Sequence, residues 1–151
     1  VEAHSGDDPV EALRQEFIRL WRRTRADMRQ AAREVHPRLE PSGYQLMAIL
    51  RASEAVPTAE LLAELGVEKS TLSRQIAALE RLGLVERMAD PRDSRARLVT
   101  LTSEGLRLFD RQRERNAERW RARFADWPVD DIEHLTELLS RSVRDASHPE
   151  E

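Results

Sequence analysis

Residues 67 to 102 hold two short-range patterns back to back, and together they leave few architectures open. The first is a helix pattern, Lys69-Ser70-Thr71-Leu72-Ser73-Arg74-Gln75-Ile76-Ala77-Ala78-Leu79-Glu80-Arg81-Leu82, stopped by Gly83. At about 100° per residue, Leu72, Ile76 and Leu79 share one face and must pack inward. Ser70, Arg74, Ala77 and Arg81 fall opposite, with Thr71 and Ser73 on the flanks. The second pattern is a pair of strand-like runs, Leu84 to Met88 and Arg97 to Leu101, joined by the charged loop Ala89-Asp90-Pro91-Arg92-Asp93-Ser94-Arg95-Ala96. A helix whose outer face is small, hydroxylic and basic suits the DNA major groove. Small residues admit the backbone, hydroxyls bond base edges or phosphates, and Arg74 is long enough for guanine. The helix N-terminus itself attracts phosphate. The hairpin tip presents Arg92 and Arg95, and an arginine there suits the narrow, electronegative minor groove. Asp93, two residues before Arg95, is placed to brace its guanidinium. The candidate DNA contacts are therefore Lys69, Ser70, Thr71, Ser73, Arg74, Gln75, Arg81, Arg92, Arg95 and Arg97. The plainer alternatives are a solvated helix and a surface hairpin laced with salt bridges.

The flanks are helical. Asp8-Pro9 is a helix start, with the carboxylate capping free N–H groups and proline at the first helical position. Val10, Leu13, Phe17, Leu20, Trp21, Thr24, Met28, Ala31 and Val35 then recur every three or four residues, predicting a helix from Pro9 to Val35. Such a helix is about 40 Å long, more than a small domain can cover. Ser42 and Gln45 read as a capping box opening a second helix. Thr58 reads as the cap of a third, closed by Gly66, so that this helix and the one at Lys69 make a helix-turn-helix pattern. Thr102 reads as the cap of a long helix carrying Leu106, Phe109, Ala117, Trp120 and Phe124. After Trp127-Pro128 a last helix carries Ile132, Leu135, Leu138, Leu139 and Val143. Apolar stripes left unfilled at both chain ends predict a helical dimerisation region, the alternative being a self-contained monomeric bundle.

Charge needs to be read by position. The formal net charge is −3, which looks wrong for a nucleic-acid binder. From Lys69 to Arg97, however, seven Lys/Arg face four Asp/Glu, a local +3. From Asp126 to Glu151, two Arg face eight Asp/Glu, a local −6. The acidic end hides a basic middle. With no cysteine there is no disulfide, thiolate metal site or thiol redox sensor. The four histidines, His4, His36, His134 and His148, lack metal-ligand spacing, so neither metal nor cofactor is expected. No apolar run approaches the roughly 18 residues of a membrane span. Residues Val1 to Asp8 lack the basic and apolar regions of a signal peptide, and a cytoplasmic location is expected.

The run Leu82-Gly83-Leu84-Val85-Glu86-Arg87, followed by Asp90-Pro91-Arg92-Asp93-Ser94-Arg95-Ala96-Arg97-Leu98-Val99-Thr100-Leu101-Thr102, resembles the wing signature of the MarR family (multiple antibiotic resistance regulators). The likeness extends to Ser70-Thr71-Leu72-Ser73-Arg74 and to the helix order from Pro9 to Ala146. It implies a mainly α fold with a small β-hairpin wing. Residues 41–101 would form a winged helix-turn-helix DNA-binding domain, and residues 9–40 and 102–147 a helical dimerisation region. Residues 1–8 would be a disordered lead. By position, residues 70–81 look like the recognition helix, Arg95 like the minor-groove arginine, and Asp93 like its brace. The resemblance also implies a palindromic operator and the spacing of two recognition helices by about 34 Å. Glu68 departs from the pattern, standing where a small capping residue is common. The lack of cysteine departs from the peroxide-sensing members.

Members similar to this chain often bind aromatic or amphipathic molecules between the dimerisation helices and the DNA-binding lobe. Trp21, Met28, His36, Tyr44 and Trp120 are the candidates for lining such a cleft, each with plain packing as its alternative. The expected function is a homodimeric DNA-binding regulator that represses transcription and responds to a small-molecule effector. The alternative is a winged-helix module that binds protein and not DNA. An enzyme is not expected, because no Gly-rich phosphate loop, nucleophile–base pair or metal set is present.

Overall fold

The computed structural model describes residues 8–93 and 96–146, with backbone only at 145 and 146. The lead up to residue 7, the expected minor-groove arginine Arg95 and residues 147–151 lie outside the described residues. The elements run α1 (Pro9–Val35), α2 (Pro41–Ser53), β1 (Ala55–Pro57), α3 (Thr58–Leu65), α4 (Lys69–Arg81), β2 (Val85–Ala89), β3 (Arg97–Leu101), α5 (Ser103–Arg123) and α6 (Val129–Ala146). The chain divides into two compact units, residues 1–112 and 113–151.

Helix α1 begins as its sequence dictates. Asp8 takes extended backbone and its Oδ1 accepts the Val10 N–H at 2.9 Å. In the first turn, hydrogen bonds from Arg14 and then Gln15 lower the Glu11 pKa to about 2, keeping a negative charge at the positive end of the helix. Two other starts differ from expectation. Glu40 is the N-cap of α2 and contributes no side-chain bond, while Pro41 sits in the first turn. Ser42 is thus already helical, because the fixed φ of Pro41 starts the helix earlier than a Ser42 cap would. Helix α3 begins at Thr58 itself, after Pro57. The Thr58 hydroxyl instead donates to the Arg97 carbonyl at 3.2 Å, so a tertiary bond takes the place of a cap.

The sheet has strand order β1-β3-β2, antiparallel throughout. Strand β1 was not visible as a period-two run, since three residues are too few to show one. It pairs Ala55 with Thr100 and Pro57 with Leu98, and Thr100 Oγ1 donates to the Glu54 carbonyl at 2.6 Å. Glu54 itself takes φ 56°, a positive value uncommon outside glycine.

The first unit is built around Leu46, Met47 and Leu50 of α2, Leu61 of α3, and Leu72, Ile76 and Leu79 of α4. Leu84, Val85, Val56 and Val99 close it from the sheet, Phe109 from α5, and Ala32 and Val35 from the end of α1. Upstream, α1 is bare: Val10, Leu13, Leu20 and Trp21 are 47–69% exposed. In the second unit Trp120 stacks on Phe124 at 5.5 Å, and Phe124 meets Trp127 edge-on at 5.1 Å. Helix α6 leaves Leu135, Leu138, Leu139 and Val143 exposed.

One junction ties α4, the sheet and α5 together. Gly83 takes φ 71° after α4, and Thr102 Oγ1 donates to its carbonyl at 2.6 Å. The same oxygen accepts the Gly105 N–H at 2.9 Å and so caps α5 as expected. A Cβ at residue 105 would run into the Leu84 carbonyl oxygen, with the carbonyl carbon at 2.9 Å. Gly105→Ala is therefore expected to destabilise the fold by roughly 1–3 kcal/mol or more, read as a lower urea midpoint; an unchanged midpoint contradicts this close packing.

Candidate nucleic-acid interface

Gly66 ends α3 in the left-handed conformation, φ 60°, with its N–H on the Leu62 carbonyl at 3.0 Å. Val67 and Glu68 complete the turn into α4. The Glu68 carbonyl accepts from Thr71 at 2.9 Å and Leu72 at 3.0 Å, whereas its carboxylate forms no capping bond. No acidic residue stands in the first turn of α4. The first turn of α4 thus adds no negative charge to the helix N-terminus, the acid beside it being Glu68 at the N-cap.

The burial of α4 divides as its periodicity predicts. Leu72, Ile76 and Leu79 are sealed in the core, while Lys69, Ser70, Ser73, Arg74 and Arg81 are exposed. Thr71, Gln75 and Ala77 are half-buried. The Arg74 guanidinium is only loosely held, 3.4 Å from Thr71 Oγ1. Gln75 is the least open of the candidates: its Oε1 is buried without a hydrogen-bond partner. The outward set is thus Lys69, Ser70, Ser73, Arg74 and Arg81, brought onto one exposed side of α4.

The wing is formed by β2 and β3 in a register that pairs Ala89 with Arg97. Arg97 is exposed where β3 leaves the tip loop, and Arg92 is exposed within that loop. The turn is organised by Asp90, a residue the sequence reading did not single out. Its side chain is 9% exposed, and Oδ1 accepts the Arg92 N–H at 2.8 Å and lies 3.5 Å from Arg92 Nε. Main-chain bonds from Asp90 to Ala96, from Asp93 to Asp90 and from Ala96 to Asp93 complete it. This is an Asx-type turn, and the Asp-Pro-x sequence was its available signal. The expected Asp93–Arg95 brace lies outside the described residues because Arg95 does. Arg87, on β2, reaches Glu80 of α4 at 3.7 Å and links wing to helix.

The candidate ligand residues each have a setting of their own. Tyr44 packs against Phe109 at 5.2 Å and its hydroxyl donates to Gln112 Oε1 at 2.7 Å. Gln112 is 2% exposed and its Nε2 has no hydrogen-bond partner among the described residues, a buried polar group that the charged run Arg111 to Arg115 concealed. His36 accepts the Arg38 N–H on Nδ1 at 3.1 Å, a local role at the end of α1. Met28 is half-buried, and Trp21 is exposed with Arg25 stacked over its ring at 4.8 Å. Trp120 belongs to the aromatic group of the second unit. Near Tyr44, Asp110 hydrogen-bonds Arg51 at 2.8 Å and pushes the guanidinium pKa up. Among the described residues there is no group of three metal-binding side chains, and no helix is long and apolar enough to cross a membrane.

A helix-turn-helix followed by a two-stranded wing, whose β3 also pairs with β1, defines a winged helix-turn-helix protein. The sequence model of the MarR family matches residues 39–96. The chain is 33% identical over 134 residues to the HTH-type transcriptional regulator YxaD of Bacillus subtilis, covering 89% of this chain and 92% of that one. It is 26% identical to the transcriptional regulator PcaV of Streptomyces coelicolor, solved with its natural ligand, with a TM-score of 0.60 over 84% of this chain and 91% of that one. A mutant E. coli MarR complexed with operator DNA shares the fold at 19% identity, with a TM-score of 0.65 over 90% of this chain and 99% of that one. The chain belongs to the MarR family and is a helix-turn-helix transcriptional regulator. That membership does not favour a winged-helix module that binds protein alone.

Asp90→Ala removes the acceptor that shapes the wing turn, whereas Asp90→Asn retains one. The alanine variant is expected to weaken duplex binding about tenfold and to speed amide exchange at Arg92, with the asparagine variant close to wild type. Equal behaviour of the two variants in gel shift and hydrogen exchange would rule this out.

Proposed function

We propose that this regulator acts as a homodimeric repressor that reads a palindromic operator and releases it on binding a small effector. The observation that carries the reading is the two-sidedness of α4. Its apolar face is locked into the core, so the face with Ser70, Ser73, Arg74 and Arg81 is rigidly presented, free of first-turn acid. A rigid helix loses little freedom on entering the major groove, and Arg74 supplies the fork that guanine accepts. Arg92, exposed in the wing turn, and Arg95, three residues on in the sequence, take the flanking minor groove, with Lys69 and Arg97 on phosphates.

Dimerisation is supported by the bare apolar residues of α1 and α6, too many for a chain that ends its folding alone. Two subunits related by a twofold axis match a palindrome. Effector control is supported by the likeness to PcaV and by the polar core group Tyr44–Gln112, where an unsatisfied amide sits beside an aromatic ring. An aromatic or amphipathic effector would shift the fraction of dimers whose helices are correctly spaced. A dimer seated on an operator excludes the transcription machinery from the same DNA, hence repression.

Selection of bound genomic fragments, with gel shifts over a salt series, tests the reading. A duplex affinity that falls steeply with salt supports it, and indifference to duplex at low salt overturns it. Arg95→Ala is expected to weaken operator binding at least tenfold with the dimer intact. Replacing Arg74 should change base preference, at a cost of about 1–3 kcal/mol for the preferred site, more than replacing Lys69 does. Leu138→Glu is expected to give monomers in sedimentation and to weaken operator binding; a dimeric variant with full affinity would contradict the α6 interface.

A further inference from the structure

The first unit carries a second basic feature beside the recognition surface. Arg38, in the corner between α1 and α2, and Arg81, in the last turn of α4, line one open cleft of about 450 Å³. Its other lining residues are Ala78 and Leu82. Both arginines are exposed, and among the described residues neither has a carboxylate partner. The acids closest in sequence are engaged elsewhere or lack a bond to them. Glu80 pairs with Arg87 at 3.7 Å, and Glu40 serves α2 as N-cap. Two guanidiniums facing one concavity repel each other until an anion lies between them.

The corner is held in place. Arg38 N–H donates to His36 Nδ1 at 3.1 Å, Leu39 N–H donates to the His36 carbonyl at 2.9 Å, and Leu39 is buried in the core. Across the cleft, Leu82 N–H closes α4 on the Ala78 carbonyl at 3.2 Å. A cationic rim over an aliphatic floor is the complement of a sugar–phosphate chain, in which charged and apolar units alternate. A free inorganic anion would make no use of the floor.

We propose that this cleft is a phosphate-binding site, in which Arg38 and Arg81 clamp one backbone phosphodiester while Ala78 and Leu82 cover the adjoining deoxyribose. The proposal rests on α4 being the recognition helix, and it adds Arg38 as a contact outside both α4 and the wing. The contact carries no base information, so it fixes register and strengthens binding to every sequence alike.

The test uses the full chain, Arg38→Ala and Arg38→Lys, a genomic fragment selected by the wild type, and copies of that fragment bearing single neutral methylphosphonates. Arg38→Ala is expected to bind about tenfold more weakly, the effect of one charge-assisted bond. Its salt slope should fall by about one per subunit, with base preference unchanged. It should also be blind to the one methylphosphonate position that weakens the wild type, and Arg38→Lys should recover part of the affinity. In parallel, inorganic phosphate is titrated while the Arg38 and Arg81 NMR signals are followed. Phosphate-dependent shifts with unchanged duplex affinity of Arg38→Ala keep the site and assign it to a free phosphate-bearing molecule. Shifts in a wild type that ignores duplex would defeat the recognition-helix reading and leave the cleft standing. No phosphate shift together with full duplex affinity of Arg38→Ala overturns the proposal.

Discussion

Burial of Leu72, Ile76 and Leu79 is the constraint on which the other features depend. These side chains lie at most 1% exposed, interlocked with α2, α3 and the sheet. Each turn of α4 is therefore fixed about its own axis, and the polar face has one orientation only. Gly43 shows how tight this packing is, since a Cβ there would stand 2.8 Å from Leu39 Cδ1 and 3.2 Å from Leu79 Cδ2. Closely packed interiors transmit displacement rather than absorb it, so anything that moves α2 moves the presented face of α4.

Polar joints then set where the surrounding pieces sit. Thr102 links the Gly83 turn to the start of α5, and Asp90 closes the wing turn from within. Arg51–Asp110 and Tyr44–Gln112 fasten α2 to α5 through one ion pair and one neutral hydrogen bond. Apart from the exposed Thr102–Gly83 bond, each is partly screened from water, where such bonds position groups more than they stabilise the fold. The unsatisfied Gln112 amide is the exception, a buried donor that costs stability until something bonds it.

Against this ordered unit stand the bare stripes of α1 and α6. Their apolar side chains follow the same helical period as those of the core, yet remain open to water. The acidic residues that make the whole chain net negative lie mostly after Asp126, away in sequence from the basic run between Lys69 and Arg97. The net charge therefore sums over stretches of opposite sign, and it conceals the local +3 between Lys69 and Arg97.

What the sequence determined by itself was everything local. The extent of α1, the inward and outward faces of α4, the Gly66 and Gly83 stops and the Thr102 cap follow from period, capping chemistry and backbone preference, which act within a few residues. Tertiary structure decided the rest. Strand β1 exists because β3 offers it partners, and Thr58 spends its hydroxyl on Arg97 rather than on its own helix. Asp90 became a buried turn acceptor, Gln112 was drawn into the core from a charged run, and Arg38 came to share a cleft with Arg81. In each of these the deciding partner is distant in sequence or lies in a turn with no period. Apart from Asp90, whose Asp-Pro-x run is a local signal, a local pattern therefore could not announce them.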